Sequence, residues 1–259
     1  MKKNILFIGY GDLGSRLASI GQDDLVITGI SRSLKPAIAP DQYHSLDWFK
    51  NSAQKIDLLK NYDCLIITLT PTSFDEAGYE KGYEEGMKLI SKLVKNISFK
   101  KSLLISSTRV YEDSEEPINE LSNVNSEDFR AKSLLESEAI YSKAINSSQK
   151  TIFRLSGLYH PEMKDKIFYK QVDEFQNKII PITANLNRLS RDQAARIIMN
   201  FCTNKTDLLL LNVSEPTVLA QERFKMLFPE KNFDDFFRID NPGKQLDISN
   251  LLKSKLLDG

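Results

Sequence analysis

The sequence predicts an α/β fold: a doubly wound parallel sheet with helices on both faces and a small subdomain towards the C-terminus. Three observations carry it. Apolar runs short enough for strands buried on both faces recur at Ile5–Ile8, Leu25–Ile30, Cys64–Leu69, Leu103–Ile105, Thr151–Leu155 and Leu208–Val213. Helix-like stretches or loops follow each run, and such alternation is the mark of parallel strands joined by crossovers. A glycine-rich turn, Gly9-Tyr10-Gly11-Asp12-Leu13-Gly14, leads from the first run into a helix through Ser15, Leu17 and Ala18.

Further along the chain, Tyr79, Tyr83, Gly86, Ile90 and Leu93 fall at spacings of four, three, four and three, the stripe of one helix face. Ala131, Leu134, Leu135 and Ala139 repeat that stripe before the Thr151 run. Ser190 and Gln193 form a capping box ahead of Ala194, Ile197, Ile198 and Phe201, again one face. After Pro161 the pattern loosens, and Phe168, Tyr169, Phe224, Phe228, Phe233, Phe236 and Phe237 are separated by prolines and charges. Residues 1–160 are therefore expected to form the core domain, with 190–213 returning to it. Residues 161–259 form a small substrate or lid subdomain, its accessory parts at roughly 161–189 and 214–259.

A chain of 259 residues suits one large domain, or a domain with a small companion, and a core that needs no staples. Its 35 basic and 35 acidic side chains cancel and are mixed along the chain, so nothing draws it to a nucleic acid or an anionic membrane. A small molecule is the expected partner. Cys64 and Cys202 sit inside apolar runs, as buried thiols of a reducing compartment do. His44 and His160 are far apart, and no Cys/His/Asp cluster has metal-ligand spacing. The apolar run after Met1-Lys2-Lys3-Asn4 is too short for a signal peptide or a membrane span, which predicts a cytoplasmic protein.

The glycine motif has specific mechanics. Directly after a strand, the first glycine of GxGxxG makes the turn, the second lets a pyrophosphate approach the backbone, and the third packs helix on strand. The helix N-terminus adds free N–H groups and the positive end of a dipole. Gly9, Tyr10, Gly11, Asp12, Leu13 and Gly14 are thus expected to cradle a dinucleotide in a core of the Rossmann type. The second strand ends Ser31-Arg32-Ser33 with no acid at its tip, and Asp23 and Asp24 precede it. Arg32 can pair with a 2′-phosphate and lie against the adenine while Ser31 and Ser33 donate to the same phosphate, which favours NADP over NAD. Asp47, just after Leu46, is placed either to meet the adenine edge or to cap a helix. Thr68, Leu69, Thr70 and Pro71 end the strand expected to flank the cofactor's ribose and phosphates.

The stretch Ser106-Ser107-Thr108-Arg109-Val110-Tyr111 places three hydroxyls at the carboxyl end of a parallel strand, where ligands bind in open α/β sheets. Together with Arg154–Pro161 (RLSGLYHP), Asn187–Ala195 (NRLSRDQAA), Leu211–Pro216 (LNVSEP) and Gly243-Lys244, it resembles the extended short-chain dehydrogenase/reductase superfamily. Within it, the resemblance is to the nucleotide-sugar epimerase/dehydratase branch, and it spans nearly the whole chain. It implies Ser107 at the position that holds the substrate oxygen, with Ser106 beside it on the cofactor's side. It also implies a Tyr, and a Lys four residues later, in the following helix. With Glu138 on the family's helix glutamate, Arg130 stands at the Tyr position and Leu134 at the Lys position. Losing such an acid/base costs ~10²–10⁴ in rate, and arginine, never deprotonated in proteins, cannot replace it. GxGxxG in place of the family's usual GxxGxxG points the same way, to an atypical branch with an intact nucleotide site and no Tyr-Lys pair.

Tyr111 and Tyr159 remain as stand-in proton donors or as packing residues, and His160 as a proton carrier or a surface residue. Lys132 shares a helix with Arg130 but lies about half a turn away. Two functions stay open. One is an NAD(P)-dependent oxidoreductase or epimerase acting on a carbonyl or sugar carbon. The other is a sensor or regulatory protein that kept the nucleotide pocket without turnover; a subunit that the dinucleotide merely braces is a third. A homodimer is implied by the resemblance only.

Overall fold

The structure is a computed structural model and describes residues 1–32, 36–50, 56–160, 180–181, 185–204, 207–227, 229, 237–238 and 243–257. Its first half alternates strand and helix except from β2 to β4, between which no helix is described: β1 (Lys3–Ile8), α1 (Asp12–Ile20), β2 (Leu25–Ser31), β3 (Gln42–Ser45), β4 (Asn61–Thr68), α2 (Glu76–Tyr79), α3 (Gly86–Leu93) and β5 (Ser98–Ser107). Then come α4 (Phe129–Ala144), β6 (Ser147–Leu155), β7 (Gly157–Tyr159), β8 (Ile180–Pro181), β9 (Asn185–Leu186) and β10 (Arg188–Ser190). The last described elements are α5 (Arg191–Thr203), β11 (Leu210–Val213), β12 (Val218–Leu219), α6 (Ala220–Leu227), β13 (Phe237–Arg238) and α7 (Ser249–Lys253).

Seven strands pair in the order β11-β6-β5-β4-β1-β2-β3, every pairing parallel. The Rossmann-type doubly wound sheet is thus the fold found, and the winding reverses between β1 and β4. At that switch point the strands end together: Ile8 lies beside Ile67, Thr68 beside Ile105, and Ser107 beside Leu155. Alternate strand residues point to opposite faces, which divides the core in two. Ile5, Phe7, Ile27, Cys64, Ile66, Leu103 and Phe153 pack under α1 and α5 through Leu17, Ile197, Ile198 and Phe201. Leu6, Ile8, Leu65, Ile67 and Leu104 pack under α3 and α4 through Met87, Ile90, Val94 and Tyr141. Cys64 and Cys202 are free and buried.

Half of the capping box predicted at Ser190 forms: its hydroxyl accepts from the Gln193 N–H, but its own N–H donates to Glu215 Oε1 and not to Gln193; Asp128 caps α4 by accepting from the Arg130 N–H. Two expectations about helices need correction. The stripe expected on α4 ends at Ala139, which is exposed; the buried face runs through Ala131, Leu134, Ser137, Glu138 and Tyr141. A polar contact decides this, because buried Glu138 is matched by an arginine from β6 and so belongs inside. The second helix is not uniform, since a π-helical turn, Glu80–Glu85, joins α2 to α3. Wide turns of this kind are rare and cluster at functional sites.

Within 161–259, the part read as a small subdomain, β11 joins the edge of the sheet by pairing with β6. Leu251 and Leu256 are buried in the same core cluster as Ile197. Short pairings tie β7 to β10, β9 to β12 and β8 to β13. No helix among the described residues is long and apolar enough to cross a membrane.

Candidate active site

A cleft of about 430 Å³ opens where the sheet reverses, the place where open α/β sheets bind ligands. One wall is the glycine turn. Gly9 has φ +81°, and a Cβ there would lie 2.0 Å from the Thr68 carbonyl oxygen, so only glycine allows this approach. Thr68 Oγ1 donates to the Gly9 carbonyl at 2.7 Å and locks the turn to β4. A Cβ on Gly14 would meet the Tyr10 ring at 2.6 Å, which is how the third glycine seats α1 on the sheet. Around Gly11 there is room, the nearest atom to a Cβ being the Gly9 carbonyl oxygen at 3.8 Å. No side chain caps α1, so its first-turn N–H groups are left facing the turn. This cradle fits a diphosphate.

Several residues expected at the cofactor have other duties. Tyr10 is 1% exposed and its hydroxyl donates to the Ile38 carbonyl; it is a core residue, not a cofactor contact. Burial pushes its hydroxyl up to about 12. Ser31 is also buried, sharing a hydrogen bond with the Tyr43 hydroxyl at 2.7 Å. Ser33 lies outside the described residues. Asp47 closes a turn, accepting from the Phe49 N–H and pairing with Lys50; no helix is described there for it to cap. Arg32 is exposed, 5.6 Å from the centres of both the Trp48 and Phe49 rings, with Nη2 3.5 Å from Thr70 Oγ1. The Trp48 indole N–H beside it is buried with no partner among the described residues. Leu13, Leu69 and Thr70 line the cleft as expected.

At the far end, Ser107 lines the cleft, and its oxygen accepts from the Arg109 N–H at 3.2 Å while its own proton has no acceptor among the described residues. Ser106 differs: buried, it donates to Glu138 Oε1 at 2.6 Å. That carboxylate also takes Arg154 Nε at 3.1 Å and Nη2 at 2.7 Å. Arg154 lies 4.9 Å over the Tyr111 ring, whose hydroxyl donates to Asn212 Oδ1 at 2.7 Å. Burial works against the charge on Arg154, yet the bonds and charge of Glu138 hold its guanidinium above the ordinary arginine range. The network corrects the expectation for Tyr111. It is fully buried, its hydroxyl is engaged, and burial raises its pKa despite Arg154 and Asn212, so it is a packing residue and no proton donor to the cleft.

Tyr159 is likewise outside the cleft wall. Its hydroxyl donates to both oxygens of Glu215 at 3.1 Å, and burial followed by that carboxylate raises its pKa. His160 Nδ1 lies 3.2 Å from Arg16 Nη2, and Lys132 is exposed. Arg130 rests over the Phe129 ring, whereas Leu134 lines the cleft, so an apolar wall stands where the resemblance would put a lysine.

No protein-family model matches the chain, and no curated protein matches it. Solved structures do. An NAD-dependent epimerase/dehydratase, so described, from Methylobacillus flagellatus is 24% identical with TM-score 0.72, covering 98% of this chain and 92% of that one. UDP-glucuronic acid 4-epimerase from Bacillus cereus in complex with NAD is 16% identical with TM-score 0.76, covering 99% and 94%. UDP-N-acetylglucosamine 4-epimerase from Methanobrevibacter ruminantium, in complex with UDP-N-acetylmuramic acid, is 18% identical with TM-score 0.73, covering 98% and 92%. The chain shares their fold.

Within that shared fold three cleft residues escape the sequence reading. Tyr83 lines the same cleft as Ser107, and no described residue hydrogen-bonds its hydroxyl; burial pushes it up to about 12. Gly82 delivers it there, since a Cβ at 82 would lie 2.4 Å from the Thr70 carbonyl oxygen. The spacing Gly78, Gly82, Gly86 is the signal that could have found it. Ser156, 5% exposed, lines the floor with a buried hydroxyl that has no partner among the described residues. Arg191, on the first turn of α5, lines the cleft beside Asp12.

Proposed function

We propose that this protein binds NADP at the glycine turn and acts as an oxidoreductase or epimerase of the epimerase/dehydratase type, on a carbonyl or sugar carbon held at Ser107. The cleft itself carries the reading. A cradle that is closed to side chains at Gly9 and open at Gly11 runs into a floor where the Ser107 proton has no acceptor, and the Ser156 hydroxyl no partner, among the described residues. A nicotinamide dinucleotide would supply the hydride chemistry. The chain's own part is to hold it: α1 faces the diphosphate, Arg32 the 2′-phosphate, and Thr68 and Thr70 the ribose side. Ser107 donates to the substrate oxygen, and Tyr83 presents a protonated phenol to the same space.

NADP is preferred on the chemistry of β2. The epimerase from Bacillus cereus is a complex with NAD, and an acid at the end of the second strand is what serves an NAD ribose. Here Ser31-Arg32 occupies that end, and a guanidinium lying over the Trp48 and Phe49 rings suits a phosphate and an adenine ring. Arg32→Ala is expected to weaken NADPH about 10–100-fold, the worth of a charge-assisted hydrogen bond, and to leave NADH nearly unchanged in calorimetric titrations. Equal losses for both would remove the 2′-phosphate role. Ser107→Ala should cut turnover roughly 10²–10³-fold, as for a lost donor to a developing oxyanion, at unaltered cofactor affinity; full turnover in that variant would reject the assignment.

A binding protein without turnover is the second reading, and one observation favours it. Leu134 gives the cleft an apolar wall where a catalytic lysine would lower the pKa of a phenol, and the phenol that is present has been raised. A cytoplasmic location fits either reading, given the buried free thiols.

A further inference from the structure

We propose that Arg191 is the cation that holds the diphosphate of the bound dinucleotide, standing beside the glycine turn at Asp12. This rests on the dinucleotide reading above and adds a residue to it. Among the described residues that line the cleft, Arg191 is the one cation and Asp12 the one anion. Asp12 opens α1, where a diphosphate would meet the uncapped N–H groups, so an unbalanced carboxylate there would repel the ligand. It is balanced twice over. Arg16 Nε pairs with Asp12 Oδ2 at 3.0 Å from one turn along the same helix, and Arg191 Nη1 reaches that same oxygen at 3.2 Å.

Arg16 is committed elsewhere as well, to Asp192 and to His160. Arg191 is not: its Nε–H is buried and has no partner among the described residues, and its side chain is 29% exposed. A guanidinium has five donors in a fixed fork that matches phosphate oxygens. Arg191 can therefore offer its remaining donors to a diphosphate while its Nη1 stays at Asp12 and Arg16 shares the same carboxylate. Its position is firm, because the Ser190 cap starts α5 at that residue and α5 packs with α1 on the sheet. The buried Ser156 hydroxyl in the same cleft, with no partner among the described residues, is an independent sign that a polar ligand completes the site.

The test is calorimetric titration of wild type and Arg191→Met with NADPH, with 2′-phospho-ADP-ribose and with adenosine 2′-monophosphate. The first two carry the diphosphate and the third does not. Arg191→Met should bind NADPH and 2′-phospho-ADP-ribose roughly 10–100-fold more weakly and adenosine 2′-monophosphate within about twofold. Circular dichroism must match the wild type; should the variant not fold, Arg191→Lys, which keeps the charge and loses the fork, is expected to show the same selectivity at smaller size. Equal weakening of all three ligands would overturn the proposal, and so would unchanged NADPH affinity. If Asp12→Asn restores full NADPH affinity to Arg191→Met, the arginine serves Asp12 alone and the proposal is also overturned. A wild type that binds none of the three removes the dinucleotide reading and the proposal with it, whereas wild-type affinity retained by Arg191→Met removes the proposal only.

Discussion

Glu138→Gln lowers the stability of the fold by about 3–5 kcal/mol, the usual cost of breaking a buried ion pair by removing one partner. Glu138 and Arg154 are both under a tenth exposed, and the carboxylate accepts three hydrogen bonds from two side chains. An amide in its place keeps the shape and loses the charge, so it leaves Arg154 charged in a buried site. For a domain of this size the melting temperature should fall by about 6–20 °C in a calorimetric scan. Replacing both partners together, as Glu138→Leu with Arg154→Met, should recover much of the loss, because two well-packed apolar chains need no compensation. A fall of less than about 1 kcal/mol for the single variant would show that water reaches the pair and that it does not organise the end of β5.

Gly11→Ala abolishes dinucleotide binding while leaving the fold intact. The added methyl meets nothing closer than 3.8 Å within the protein, and no positive φ opposes it. It projects instead into the space through which a diphosphate must approach the backbone, so a loss of about 100-fold or more is expected, about 2.7 kcal/mol. Gly9→Ala is the contrasting control. There the methyl would overlap the Thr68 carbonyl at 2.0 Å with φ at +81°, and both stability and binding should fall. Thermal melts beside fluorescence titrations separate the two, and a Gly11→Ala protein that still binds NADPH as well as wild type would displace the ligand from this turn.

What could be read from the sequence was local. Hydrophobic runs place the strands because burial on both faces makes them apolar throughout, and the glycine turn declares itself because its conformation admits no other residue at Gly9. What could not be read depends on partners far along the chain. Tyr111 looks like a proton donor until Asn212, about a hundred residues later, takes its hydroxyl. Ser106 looks like a cofactor ligand until Glu138 claims it, and Tyr10, in the middle of the motif, is turned into the core by the close seat of Gly14. Tyr83 reads as one residue of a helix stripe; a π-helical turn and three glycines spaced by four bring it to the cleft. Arg191 gains its meaning only when α5 docks beside α1 and sets it against Asp12.

The most direct measurement is a titration of the purified chain with NADPH, NADP, NADH and NAD, followed by heat and by nicotinamide fluorescence. Saturable binding at one site, tighter for NADPH than for NADH, is the predicted result. Failure of all four nucleotides to bind at millimolar concentration would contradict the glycine cradle as a dinucleotide site, and with it the functions built on it.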